Sequence, residues 1–180
     1  SSIPYVLSAN NGELAICYIK GGLNKSIGYR VYDFMARSWS DFNHISNIQY
    51  DILDLNFLIR KGTVAYTYNF IRHKKNTIVC GIGKGEDFTK DVSEELSPSI
   101  SGIQISINKN NRLNLIYVVD DTVKIKELVV GRTLKAVNEL EIYGEVDVYK
   151  CNYGCDEGYS NNLLMIIGEE KEYYTDRSFL

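Results

Sequence analysis

The sequence predicts an all-β chain of four repeated antiparallel sheets, a β-propeller or a segment of one, on three observations. First, four segments superimpose without internal gaps: Gly12-Glu-Leu-Ala-Ile-Cys-Tyr18, Gly62-Thr-Val-Ala-Tyr-Thr-Tyr68, Asn111-Arg-Leu-Asn-Leu-Ile-Tyr117 and Asn161-Asn-Leu-Leu-Met-Ile-Ile167. Their third residues, Leu14, Val64, Leu113 and Leu163, are spaced by 50, 49 and 50. Second, each segment opens on Gly or Asn, the residues that tolerate the positive φ of a hairpin turn, and then runs into apolar, β-branched and aromatic residues. Third, helix is poorly supported. A four-stranded sheet recurring at such a period is the sequence signature of a propeller blade.

The elements follow in order. First strands precede each turn, at Ile3–Ser8, Tyr50–Leu55, Ile103–Ile107 and Val146–Cys151. The aligned segments form the second strands, apolar on both faces, as sheets stacked face to face require. Third strands are expected at Ile27–Phe34, Thr77–Ile82, Thr122–Val129 and, more raggedly, Lys171–Thr175. Fourth strands fall near Ser40–Ile45, Val92–Leu96 and Val137–Tyr143, and the last unit lacks one. The units are therefore about 1–46, 47–97, 98–145 and 146–180, read as one propeller-like domain. The two prolines, Pro4 and Pro98, each stand at the start of a unit, where proline is tolerated beside a strand. Lys90–Glu95, acidic and short, reads equally as a helix closed by Pro98 or as a polar connection or outer-edge strand.

The run Asn11-Gly-Glu-Leu-Ala-Ile-Cys-Tyr-Ile-Lys20, then Ile27–Phe34, then Ser38-Trp-Ser-Asp-Phe42 resembles one blade of the sialidase-like (BNR-repeat-like) propellers. The third unit, from Ser99 through Asp121 to Leu128, is similar. The Ser-x-Asp-x-Gly-x-x-Trp turn of that family is nowhere intact, Trp39-Ser40-Asp41 being a degenerate neighbour of it, so the resemblance does not carry enzyme status with it. It implies instead that the connection between second and third strands lies on the rim that carries the substrate funnel. Sialidase-like rings usually hold more than four blades, so the chain is expected to be part of a larger ring. Its open end blades are then expected to associate with a neighbour.

Composition narrows the function. In 180 residues, 20 Lys and Arg stand against 23 Asp and Glu, a formal net charge of −3, which argues against a phosphate-driven nucleic-acid binder. No apolar run approaches the roughly 18–20 residues of a spanning helix. Residues 1–8 show neither a positive n-region nor a long apolar h-region, so no signal peptide is expected there. No cofactor and no metal site is expected. Cys151-Asn-Tyr-Gly-Cys155 is read first as ordinary thiols, with a local disulfide or half a metal site as alternatives. Gly81-Ile-Gly-Lys-Gly85 fails the phosphate-loop pattern, since no Ser or Thr follows the Gly-Lys, and reads as a glycine-rich bulge or turn.

The candidate contact residues follow from position. Arg72 and His73 belong to the basic tip Arg72-His-Lys-Lys75 of the second unit, an anion-contacting candidate. Asp120 and Asp121 occupy the equivalent tip of the third unit. Tyr5, Tyr50 and Tyr149 are placed on innermost strands, with Asp51 the carboxylate beside Tyr50, and a tyrosine ring can stack on a sugar or anchor an interface. No catalytic residue is assigned. Glycoside hydrolysis needs converging carboxylates, or a Tyr with an acid partner. None of the seven arginines lies on an innermost strand, where a carboxylate-holding triad would stand. The expectation is a non-catalytic recognition or scaffold module that binds a glycan or protein partner through its rim. The alternative is part of a sialidase-like glycosidase whose catalytic residues lie partly outside this chain.

Overall fold

The computed structural model describes residues 5–10, 12–21, 25–84, 87–96, 100–107, 110, 112–119, 122–129, 133–141, 148–155 and 161–167. Among them every regular element is a strand, and every strand pairing is antiparallel. The first sheet comprises β1 (Tyr5–Asn10), β2 (Glu13–Lys20), β3 (Ser26–Asp33) and an outer edge split into β4 (Ser38–Trp39) and β5 (Asn43–Asn47), both paired to β3. The second runs β6 (Asp54–Arg60), β7 (Thr63–Arg72), β8 (Lys75–Lys84), β9 (Asp87–Leu96), and the third β10 (Ser101–Ile107), β11 (Leu113–Val119), β12 (Thr122–Val129), β13 (Thr133–Glu141). Finally β14 (Val148–Cys155) pairs with β15 (Asn161–Ile167).

Hairpin geometry follows turn chemistry. In the second sheet Arg60 pairs with Thr63, and the two residues between them, Lys61 and Gly62, have φ of 49° and 73°. Positive φ at both central residues defines the type I′ turn, whose twist matches that of the flanking strands. The first sheet repeats the device: Asn10 pairs with Glu13 and Gly12 has φ 80°. Neighbouring hairpins are tied together through these turns, because the Glu13 carboxylate accepts hydrogen bonds from the backbone N–H groups of Lys61 and Gly62, the latter at 2.6 Å.

Strand alternation decides the packing. On β7, Val64, Tyr66, Tyr68 and Phe70 face the first sheet, where Ala15, Cys17, Ile27 and Tyr29 meet them. The intervening Ala65 faces the third sheet with Ile78, Cys80 and Ile82 of β8, against Ile103, Ile105, Ile107, Leu113, Leu115 and Tyr117. The second sheet is thus a layer buried on both sides, so that even polar residues of its middle strands, Thr63, Thr67 and Asn69 on β7, are buried. Small partners stand across from the large ones: Gly83 opposite Val64, Gly81 opposite Tyr66, Thr77 opposite Phe70. A Cβ at Gly81 would collide with the hydroxyl end of the Tyr66 ring. The β8–β9 register also shifts between Cys80 and Ile82, the bulge expected of the glycine-rich stretch.

First strands of successive sheets lie side by side, β1 against β6, β6 against β10, β10 against β14. Polar groups bridge them: Ile59 N donates to Ser8 Oγ (3.0 Å), Asn56 Nδ2 to Ile103 O (3.0 Å) and Arg60 Nη1 to Ile107 O (2.9 Å). No closed ring is detected among the described residues.

Several expectations are corrected. The first strand of the second unit is Asp54–Arg60 rather than Tyr50–Leu55, because the alternating Leu55, Phe57 and Ile59 have a core to fill and Leu53 N is held by Asn69 O at 2.8 Å; this puts Arg60 on a first strand, where no arginine was expected. At Lys90–Glu95 the open choice falls to the outer-edge strand: the segment lies within β9, paired to β8, and charge suits an edge. The outer strand of the first sheet breaks where Val31 N donates to Ser40 Oγ (3.0 Å) and Ser40 N to Val31 O (2.8 Å). Leu14 is half-buried, unlike Val64 and Leu113. The strand expected at Lys171–Thr175, Pro4, Pro98 and Gly85 lie outside the described residues.

Candidate functional site

A cleft of about 260 Å³ opens between the first and second sheets, where the chain passes from β5 to β6 and β7 turns into β8. Its residues arrive by strand periodicity. Tyr68, Phe70 and Arg72 follow one another at every second position of β7, Thr77 stands opposite Phe70 on β8, and Ser46 and Tyr50 come from β5 and the linker after it. The Tyr50 ring lies flat on Phe70, centroids 4.6 Å apart and planes 8° from parallel, while Phe70 and Tyr68 stack at 6.3 Å. Tyr68 Oη donates to Ser46 Oγ at a long 3.5 Å.

Two polar groups in this cleft stand out. The Thr77 hydroxyl is buried and has no hydrogen-bond partner, a state that native interiors rarely leave without a reason. Arg72, exposed at the end of β7, makes no ion pair among the described residues. The turn beyond it is strained. His73 and Lys74, with φ of 50° and 64°, adopt a two-residue type I′ turn without glycine, and side chains carry a steric penalty of about 1 kcal/mol or more each there. Such strain marks places that the surrounding structure holds in position.

The sequence-chosen residues are distributed unevenly. Tyr50 and Arg72 both line the cleft, but Tyr50 sits on the inter-sheet linker, not on an innermost strand, because β6 starts four residues later. His73 occupies the turn next to Arg72. Asp51 turns away to the surface, where it accepts from Lys25 Nζ at 2.9 Å. Tyr5 opens β1 with its side chain 65% exposed. Tyr149 is on β14, with its side chain outside the described residues, as Asp120 and Asp121 are entirely. Phe70, Tyr68, Ser46 and Thr77 were not singled out from the sequence, although the signal existed: Tyr66, Tyr68, Phe70 and Arg72 form a period-2 row of aromatics ending in a cation.

Among the described residues, burial decides the state of the thiols. Cys17 and Cys80 are buried and outside any disulfide, and burial pushes the Cys17 pKa up to about 12, leaving it protonated and inert at neutral pH. Cys151 and Cys155 lie on one continuous strand; four residues at about 3.3 Å each put their Cα atoms about 13 Å apart, roughly twice what a disulfide spans. No group of three metal-binding side chains occurs among the described residues.

No protein-family model matches the chain, and no curated protein does. Solved structures similar to it include xylan β-1,4-xylosidase from Bacillus halodurans C-125, at TM-score 0.48 and 12% identity over 98% of this chain and 42% of that one. The polysaccharide lyase Uly1 follows at TM-score 0.45 and 9% identity, over 95% of this chain and 56% of that one. A bifunctional GH43-CE protein of Bacteroides eggerthii gives 0.31 and 6%, over 89% and 27%. The chain thus spans between a quarter and just over half of the length of these proteins.

Proposed function

We propose that this chain is a non-catalytic recognition module that binds a saccharide in the cleft between its first two sheets. The same reading arranges the sheets as blades of a sialidase-like propeller, with units of about 1–46, 47–97, 98–145 and 146–180. The observation that carries it is the cleft itself: an aromatic wall of Tyr50, Phe70 and Tyr68 beside hydroxyls and the exposed Arg72 guanidinium. Aromatic faces suit the apolar faces of sugar rings, hydroxyls such as Ser46 and the orphaned Thr77 suit sugar hydroxyls, and Arg72 suits an anionic substituent through its planar fork. Side-by-side first strands, with one repeated interface between sheets, support the blade arrangement.

Titration of ¹⁵N-labelled protein with a panel of neutral and acidic oligosaccharides tests this. Shifts should concentrate at 46–50 and 68–77, and Tyr50→Ala or Arg72→Gln should weaken binding at least about tenfold, which is about 1.4 kcal/mol. Shifts elsewhere, or none with any saccharide, would sink the reading. So would turnover of an aryl glycoside that Asp51→Ala abolishes, the outcome expected if the chain is part of a glycosidase.

A further inference from the structure

We propose that the hairpin from Tyr32 to Trp39, at the outer edge of the first sheet, is a lipid anchor: a finger that seats its apolar tip in the interfacial region of a bilayer. The hairpin stands clear of the sheet that bears it. Pairing of β3 with β2 ends at Val31, opposite Ala15, and pairing with β5 ends at Tyr29, opposite Asn43. Tyr32 and Asp33 pair instead with Trp39 and Ser38 of β4. The tip is built in advance. Asp33 Oδ1 accepts from the backbone N–H groups of Met35 (2.8 Å) and Ala36 (2.9 Å), and Arg37 ends the turn at φ 51°. The Tyr32 ring meets Phe34 (centroids 5.1 Å, planes at 85°) and Trp39 (5.2 Å, 66°), which sets the three rings against one another. Even so, Met35 is 94%, Phe34 57% and Trp39 39% exposed. One exposed apolar residue needs no account, but a preformed cluster of large ones marks a contact surface.

The occupant follows from the order of chemistry along the finger. Phe34 and Met35, in the turn, carry no hydrogen-bond donor on their side chains. Behind them the Tyr32–Trp39 pair supplies two apolar rings, each with one polar handle, and Arg37 is the exposed cation between turn and strand. Apolar side chains, then Tyr and Trp, then a cation is the order of a bilayer interface from acyl chains to phosphates. The one carboxylate in the hairpin, Asp33, which phosphates would repel, is turned onto backbone N–H groups of the tip. A saccharide fits this surface less well. The cleft meets a sugar with parallel rings, Tyr50 on Phe70 at 8°, beside hydroxyls, whereas the rings here stand at 66° and 85° and offer no common face. A fluid interface also receives a projecting finger without a cavity shaped to match it.

Trp39 is the chain's single tryptophan, so its emission reports on the finger alone. The test titrates the chain with vesicles of phosphatidylcholine, with and without phosphatidylglycerol. Trp39 emission should move to the blue and be quenched by phosphatidylcholine brominated on its acyl chains, and cosedimentation with the vesicles should follow the same titration. Phe34→Asp with Met35→Asp should weaken vesicle binding at least about tenfold. Arg37→Gln should weaken it about fivefold when phosphatidylglycerol is present and much less when it is not. If the double variant does not fold, Met35→Asp alone, at the most exposed of these side chains, decides by the same readouts. No blue shift and no cosedimentation would overturn the proposal. Binding that the tip variants leave unchanged, or that brominated lipid does not quench, would do so too, because another surface would then carry it. A blue shift that grows with protein concentration without vesicles would assign the finger to a second copy, and one produced by a soluble oligosaccharide would assign it to a sugar; either result refutes the anchor.

Discussion

Residue by residue, the molecule is shaped by what burial does to individual groups. Cys17 sits in the interface between the first two sheets, and desolvation of the thiolate raises its pKa from 9.0 to about 12. Tyr29, in the same interface, is shifted upward from the same cause. For an acid whose folded pKa exceeds its unfolded value, the unfolded chain holds fewer protons between the two. Stability is then complete below pH 9 and declines as pH rises above it. The unfolding free energy from urea titration should fall between pH 8.5 and 10.5, by about 2 kcal/mol at the upper end from Cys17 alone. Cys17→Ala should flatten that fall while lowering stability at neutral pH; an unchanged slope would show that the thiol is not its source. At this scale the sequence was legible in part. The pair of unusual non-glycine φ values at His73 and Lys74 falls in a basic tip already visible as a cluster, but nothing in that tip announced a left-handed turn.

Strands and turns show how far periodicity reaches. The second strands were the most legible elements, because a Gly or Asn turn fixes where each begins; β15 runs from Asn161 to Ile167 as its aligned segment does, whereas β7 continues past Tyr68 to Arg72. First strands were less so. Tyr50–Leu55 and Asp54–Arg60 are comparably apolar, and the choice was made by which register lets Leu55, Phe57 and Ile59 enter the core. That displacement moved Tyr50 from a strand to the linker, and so created one wall of the cleft. The joint between hairpins offers a test at this scale. Glu13 caps the type I′ turn of the next hairpin through two charge-assisted bonds, so Glu13→Ala should cost about 1–2 kcal/mol in urea unfolding. Asp51→Asn, which disrupts only a solvent-exposed pair with Lys25, should leave the urea midpoint unchanged. Equal effects would mean that the hairpins are not coupled through Glu13.

The whole molecule is a stack in which a sheet's position decides what its residues are worth. Leu115 lies in a two-sided interior and Ile16 occupies the matching position on an end face. Leu115→Ala should cost about 3 kcal/mol, within the range of cavity-forming core substitutions, and Ile16→Ala less than about 1 kcal/mol. Comparable losses, measured by urea unfolding under one condition, would mean that the end face is already covered. The stack also explains why the cleft was only half readable. Its aromatic wall is a property of one strand, while its other wall is a linker brought alongside by the packing of two sheets.

The sequence by itself determined the all-β class, the repeat and its spacing, the turns, and the two-sided burial of the middle sheet, because each of these is written in local periodicity and in the φ preferences of Gly and Asn. The tertiary structure alone decided the strand register of the second unit, the strand state of Lys90–Glu95, the meeting of Tyr50 with Arg72, and the exposure of Tyr5 and Leu7. The physical reason is common to all four. Each depends on which neighbouring sheet is present to pair with, pack against or leave open a given face, and that free energy belongs to contacts between residues far apart in the chain.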